Sequence, residues 1–103
     1  MNRKIKDVNV DDKIAEIKKT MADIETEMKT ADYEEYIRKY YYLMYIVLYE
    51  LESWERNIFI VKHFCDTTGV QMAEAFGITP HTLYQYTGNI TKKIKRLIKK
   101  YGY

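Results

Sequence analysis

The sequence predicts an all-α fold, and three observations carry that expectation. Four glycines and one proline in 103 residues supply too few turns for an all-β chain. Apolar residues recur at spacings of three and four, the helical period, through most of the sequence. Residues 69–88 then carry the punctuation of two helices joined by a tight turn. A hydrophobic content of 47% supports a packed core, and 31% charged residues mark a soluble chain. This length holds one small domain, or one domain and an appendage. We divide it into an N-terminal helical segment, residues 1–50, and a helix-turn-helix domain, residues 51–103. The N-terminal segment reads as a helical hairpin or a coiled coil.

Taken in order, residues 1–10 are of mixed charge and predict a frayed end. Asp11 or Asp12 caps a helix with Ile14, Ile17, Met21, Ile24 and Met28 on one seam. That seam is a heptad pattern and extends backwards to Val10. Two to three heptads make a marginal free-standing coiled coil, so the seam needs the following helix or a second copy of itself. Residues 29–32 form a short break, and Asp32 with Glu35 has the spacing of a capping box. The next helix, with Tyr36, Tyr40, Leu43, Met44, Val47 and Leu51 among its members, is apolar nearly all the way round. Such a helix is central or covered by a second subunit, which predicts a homodimer built from residues 10–50. Ser53 opens a helix whose inward face holds Trp54, Ile58, Val61 and Phe64.

The segment 69–88 is the most informative. Thr68 with Gln71 makes a capping box, and Thr79 before Pro80 makes an N-cap with proline at the first helical position. Ala73 is small enough for two helices to cross closely. Gly77 supplies the positive φ of a tight turn. Leu83 points back into a core shared with Met72, Phe76, Ile78 and Tyr86. From Pro80 the stripe Leu83, Tyr86, Ile90, Ile94, Leu97 and Tyr101 predicts one unbroken helix to about Lys100.

The opposite stripe of that helix is the candidate binding face. It holds His81, Gln85, Gly88, Lys92 and Lys99, flanked by Thr82, Tyr84, Asn89, Lys95 and Arg96, with Thr79 at its start. Hydrogen-bonding groups come first and cations later. Double-stranded DNA is the partner this order suits, with early residues at base edges in the major groove and late ones at phosphate. Gly88 costs about 1 kcal/mol inside a helix relative to alanine, which close approach of the backbone to DNA would explain as well as a local kink. Charge follows the same division. Residues 66–103 carry six Lys/Arg against Asp66 and Glu74, a net of +4, whereas residues 1–65 carry a net of −2.

Other chemistries find little support. The sequence contains no glycine-rich phosphate loop, nucleophile elbow or helical pair of histidines, so no enzyme and no cofactor are expected. His63, Cys65 and His81 do not have zinc-site spacing, so no metal is expected. A single cysteine suits a reducing cytoplasm. The apolar run 40–49 is too short to span a bilayer, and nothing at the N-terminus resembles a signal peptide. Tyrosines abound between residues 33 and 49, but Glu34, Glu35, Glu50 and Glu52 beside them would repel a single-stranded phosphate chain.

Residues 51–100 resemble the C-terminal, promoter-binding domain of bacterial sigma factors. The matching text is Ser53-Trp54-Glu55-Arg56-Asn57-Ile58, then Val61-Lys62-His63-Phe64. It continues with Met72-Ala73-Glu74-Ala75-Phe76-Gly77-Ile78-Thr79 and the basic Thr91-Lys92-Lys93-Ile94-Lys95-Arg96-Leu97. The small ArpU/RinA-type regulators of phage late genes are similar in pairing a helical N-terminal segment with one such domain. The resemblance implies a four-helix, sequence-specific DNA-binding domain acting in transcription. It implies a phage or mobile-element regulator that works near a promoter, with RNA polymerase as a partner if the likeness extends to partners. Thr79, His81, Thr82, Tyr84 and Gln85 would take the base-reading positions. The recognition helix departs from the sigma pattern, with Pro80, His81, Tyr84 and Gly88 where arginines are usual, and no promoter-melting domain is present. Two other readings remain: a phage terminase small subunit that recognises DNA for packaging, and a protein-interaction module that docks on RNA polymerase.

Overall fold

Five helices and no strand make up residues 5–28 and 34–102, which the computed structural model describes. They are α1 (Asp11–Met28), α2 (Glu35–Tyr49), α3 (Ser53–Phe64), α4 (Gly69–Phe76) and α5 (Pro80–Tyr101). The fold class is all-α, as the glycine content and periodicity predict.

The heptad seam of α1 packs within the same chain. Ile17, Met21 and Ile24 are buried, Ile14 and Met28 are half-buried, and α1 lies against α2. Tyr41 of α2 donates its hydroxyl to Glu25 of α1 at 2.5 Å. Neither Asp11 nor Asp12 is the N-cap. Val10 accepts the first helical hydrogen bond from Ile14, and Asn9 Oδ1 accepts from the Asp11 amide. The two aspartates instead occupy the first turn, where negative charge complements the helix dipole.

Helix α2 is apolar on several sides because it touches α1, α3 and α5 at once. Met44, Ile46, Val47 and Leu48 are buried among these neighbours, within one chain. Tyr36, Tyr45 and Tyr49 stay exposed. The helix starts at Glu35 with Glu34 as N-cap, and no side chain caps it. Glu35 is thus the first helical residue and not the third. Asp32 itself, and the break expected at 29–32, lie outside the described residues.

Helix α3 does begin at Ser53. Its N-cap is Glu52, whose side chain and that of Glu55 form a reciprocal capping box. Ile58 and Val61 are buried as the inward stripe requires, with Trp54 and Phe64 half-buried. Trp54 meets Tyr86 of α5 edge-on at 5.4 Å. The same helix buries two polar groups, Glu55 and Asn57.

Helix α4 starts with both capping-box bonds made, Thr68 Oγ1 accepting from Gln71 N and Gln71 Oε1 accepting from Thr68 N. It ends at Gly77 with φ +71°, whose amide donates to the Ala73 and Glu74 carbonyls. Thr79 Oγ1 then accepts from Thr82 N and opens α5. Ala73 is 1% exposed, so the small residue does sit where α4 approaches the core. From Pro80 the helix runs unbroken through Gly88 to Tyr101, and Leu83, Ile90 and Ile94 are buried. One hydrophobic cluster draws on all five helices, with Ile17, Met44, Ile58, Phe76 and Ile94 among its members.

The N-terminal stretch corrects the expectation of a frayed end. Residues 1–4 lie outside the described residues, but residues 5–10 are tied down. The Lys6 amide donates to the Phe76 carbonyl at 2.9 Å, Asn57 Nδ2 donates to the Val8 carbonyl at 3.2 Å, and Val10 is 5% exposed. Periodicity could not reveal this arm, because its partners are far along the chain.

Candidate nucleic-acid interface

Helix α5 presents two faces of opposite character. Inward lie Leu83, Ile90 and Ile94; outward lie His81, Tyr84, Gln85, Gly88, Asn89, Lys92, Lys95, Arg96 and Lys99, all exposed. The stripe read from the sequence is thus brought onto one surface. A straight helix rises about 1.5 Å per residue, so His81 and Lys99 stand roughly 27 Å apart along it. Tyr84 is the most exposed aromatic of the helix, at 78%.

Two of the expected residues have local duties. The Thr79 hydroxyl accepts from the Thr82 amide and donates to the Thr82 hydroxyl at 2.9 Å, so both threonines are engaged in the N-cap. Thr79 is exposed and Thr82 half-buried. Further along, the Thr87 and Thr91 hydroxyls donate to the carbonyls of Tyr84 and Thr87.

Gly88 has no internal reason to be glycine. A Cβ added there would meet nothing within 4 Å. The contrast is Gly77, where the positive φ strains any side chain and a Cβ would fall 3.1–3.3 Å from the Lys6 methylenes.

A shallow groove of about 760 Å³ runs along α5 from Tyr84 to Lys95, with Lys62 of α3 on its other side. Lys62 belongs to this surface although the sequence stripe cannot include it, since only the crossing of α3 and α5 brings it there. Among the described residues, Lys92, Lys95, Arg96 and Lys99 make no ion pair. Lys93, between them, turns inward and donates to Glu55 at 2.7 Å. The strip therefore keeps four cations unneutralised while its one inward lysine is satisfied.

Next to it, sharing Thr91 and Lys95, lies a second, more apolar groove of about 450 Å³ between α2, α3 and α5. Leu43, Met44, Phe59, Phe64, Ile94 and Ile98 line it, with Tyr40, His63, Thr91 and Lys95 as its polar members. Burial, and then the neighbouring Lys62 charge, lower the His63 pKa below its usual 6.5. Its ring lies 4.3 Å from that of Phe59.

Among the described residues, no three His, Cys, Asp or Glu side chains gather as a metal-ligand set. None of the described helices is long and apolar enough to cross a membrane. Comparison with protein-family models, curated proteins and solved structures finds no match to this chain.

Proposed function

We propose that the protein is a sequence-specific regulator of transcription that binds double-stranded DNA through the outward face of α5. In this reading α4, the Gly77 turn and α5 form a helix-turn-helix. His81, Tyr84 and Gln85 meet base edges, and Lys92, Lys95, Arg96 and Lys99 meet phosphate, joined by Lys62 across the groove. The observation that carries it is the run of four exposed cations without carboxylate partners, in register with polar side chains one to three turns earlier. A merely solvated helix face usually mixes signs and pairs them at spacings of four residues. This one contains no acidic residue from Pro80 onward. Phage or mobile-element origin and a promoter-proximal site rest on the sigma-like text of residues 51–100 alone.

Selection from a random pool of duplexes tests the reading. A recovered consensus bound more tightly than unselected DNA supports it, and equal, salt-insensitive retention of all sequences sinks it. Two-fold symmetry in that consensus would fit a homodimer, for which the exposed, neighbouring Tyr45 and Tyr49 of α2 offer a surface. Light scattering measures that state directly. A closed ring of more subunits would favour DNA packaging, as in a terminase small subunit.

A second reading is supported by the apolar groove between α2, α3 and α5. A cleft whose exposed lining is mainly apolar suits a protein segment better than a nucleic acid, and it favours a module that docks on RNA polymerase. Retention of the chain on core polymerase without duplex binding would favour that reading.

A further inference from the structure

The arm of residues 5–10 carries a cation to a place where α4, with Glu74 as its one charged residue, and the start of α5 have no lysine or arginine. From residue 66 to residue 91 the chain contains no lysine or arginine, so the first dozen residues of α5, and all of α4 and the turn, lack a strong cation. The cations of α5 begin at Lys92. A helix lying in a major groove passes between two phosphate backbones, and contacts at both its ends fix its orientation.

Lys6 stands at the other end. Its backbone amide is bonded to the Phe76 carbonyl at 2.9 Å. The arm is held again two residues later, where Asn57 Nδ2 donates to the Val8 carbonyl at 3.2 Å and to Asp7 Oδ1 at 3.3 Å. The Lys6 stem lies along the turn, since its Cγ, Cδ and Cε are the atoms nearest to the Cβ that Gly77 lacks. The ammonium, one bond past Cε, is therefore beside the turn that leads into Thr79 and Pro80. Lys6 is exposed, and it makes no ion pair among the described residues. A lysine with a fixed backbone, a packed stem and an unneutralised head in water is arranged to meet an external anion.

We infer that Lys6 is a DNA phosphate contact, delivered by the N-terminal arm to the turn side of α5 and complementing Lys92–Lys99 at the far side. The inference rests on the reading of α5 as a DNA-binding face and extends it to a residue far away in sequence. It also gives Gly77 a second requirement besides its φ, since a side chain there would displace the stem that carries the charge.

The test is the salt dependence of binding to random-sequence duplex DNA by the full chain and its Lys6→Gln and Lys6→Arg variants. Glutamine keeps the Cβ and Cγ methylenes and removes the charge, and its thermal midpoint, measured alongside, reports any packing lost with the rest of the stem. The slope of log affinity against log salt should fall by about 0.9 for Lys6→Gln, the value of one phosphate contact on duplex DNA, and return with Lys6→Arg. An unchanged slope for Lys6→Gln overturns the inference and leaves α5 as the binding face. A slope lowered equally by Gln and Arg assigns Lys6 to packing and also overturns it. Absence of duplex binding by the unaltered chain at low salt removes the DNA reading itself, and this inference with it.

Discussion

Lys93 Nζ donates to Glu55 Oε1 at 2.7 Å, joining α5 to α3 through a carboxylate whose side chain is only 9% exposed. The same Oε1 accepts from the Glu52 amide, so one oxygen both closes the capping box of α3 and fixes the middle of α5. The turn of α5 that begins the run of outward cations, between Lys92 and Lys95, is thereby anchored to α3.

Glu55→Ala should destabilise the protein more than Lys93→Ala. Losing Lys93 leaves one buried carboxylate short of a partner, a cost of about 1–3 kcal/mol that partial exposure of the lysine moderates. Losing Glu55 strands the lysine and removes the cap as well, adding about 1 kcal/mol. Denaturant unfolding of both variants and the double variant measures the coupling. Costs that simply add would mean the pair is not an energetic unit.

The two glycines of the candidate interface should respond in opposite directions. Gly88→Ala should stabilise the fold by about 0.8–1.0 kcal/mol, because the methyl enters open space on a regular helix. It should weaken duplex binding if the bare backbone approaches DNA. Gly77→Ala should cost about 1–2 kcal/mol for its left-handed φ, and more where the Lys6 stem must move. Thermal unfolding reads both, and a destabilising Gly88→Ala would disprove the argument from space.

Base reading and phosphate holding separate by position. Gln85 can donate and accept together, so a bidentate contact with adenine would contribute about 1–3 kcal/mol of discrimination. Gln85→Ala should lower affinity for a selected site and leave random-sequence binding nearly unchanged. Lys92→Ala or Lys99→Ala should weaken both equally and reduce the salt slope by about 0.9 each. An unchanged ratio of specific to random affinity after Gln85→Ala would remove it from the readers.

His63 should make stability depend on pH in mildly acidic solution. Burial first, and Lys62 second, hold its folded pKa below the unfolded value of 6.5. Between the two values the unfolded chain binds more protons, so stability rises with pH. The contribution is complete above pH 6.5 and is lost as pH falls through the folded value. Thermal midpoints of the wild type should therefore drop on acidification from neutrality, and His63→Gln should flatten that part of the curve. A parallel fall in both would assign the effect to other groups.

The segment around α4 and α5 was legible because its determinants are local. Thr68 with Gln71, Thr79 with Pro80, and Gly77 act through hydrogen bonds and dihedral angles within a few residues, so spacing alone identifies them. The outward stripe of α5 follows equally from helical period. Missed were Glu55 and Asn57, two polar residues buried in a helix whose apolar stripe had seemed a sufficient account of its inward face. An exposed polar residue and a buried, satisfied one look alike in sequence.

Sequence by itself determined the helical class, the caps and turn between α4 and α5, and which α5 residues share the outward face. Tertiary structure alone decided that α1 and α2 cover each other, that Lys62 borders the α5 groove, and that Lys6 lies on the Gly77 turn. The physical reason is reach. Caps and helical faces are set by bonds three or four residues long, whereas Lys6 meets Phe76, and Asn57 meets Val8, only after the whole core has closed between them.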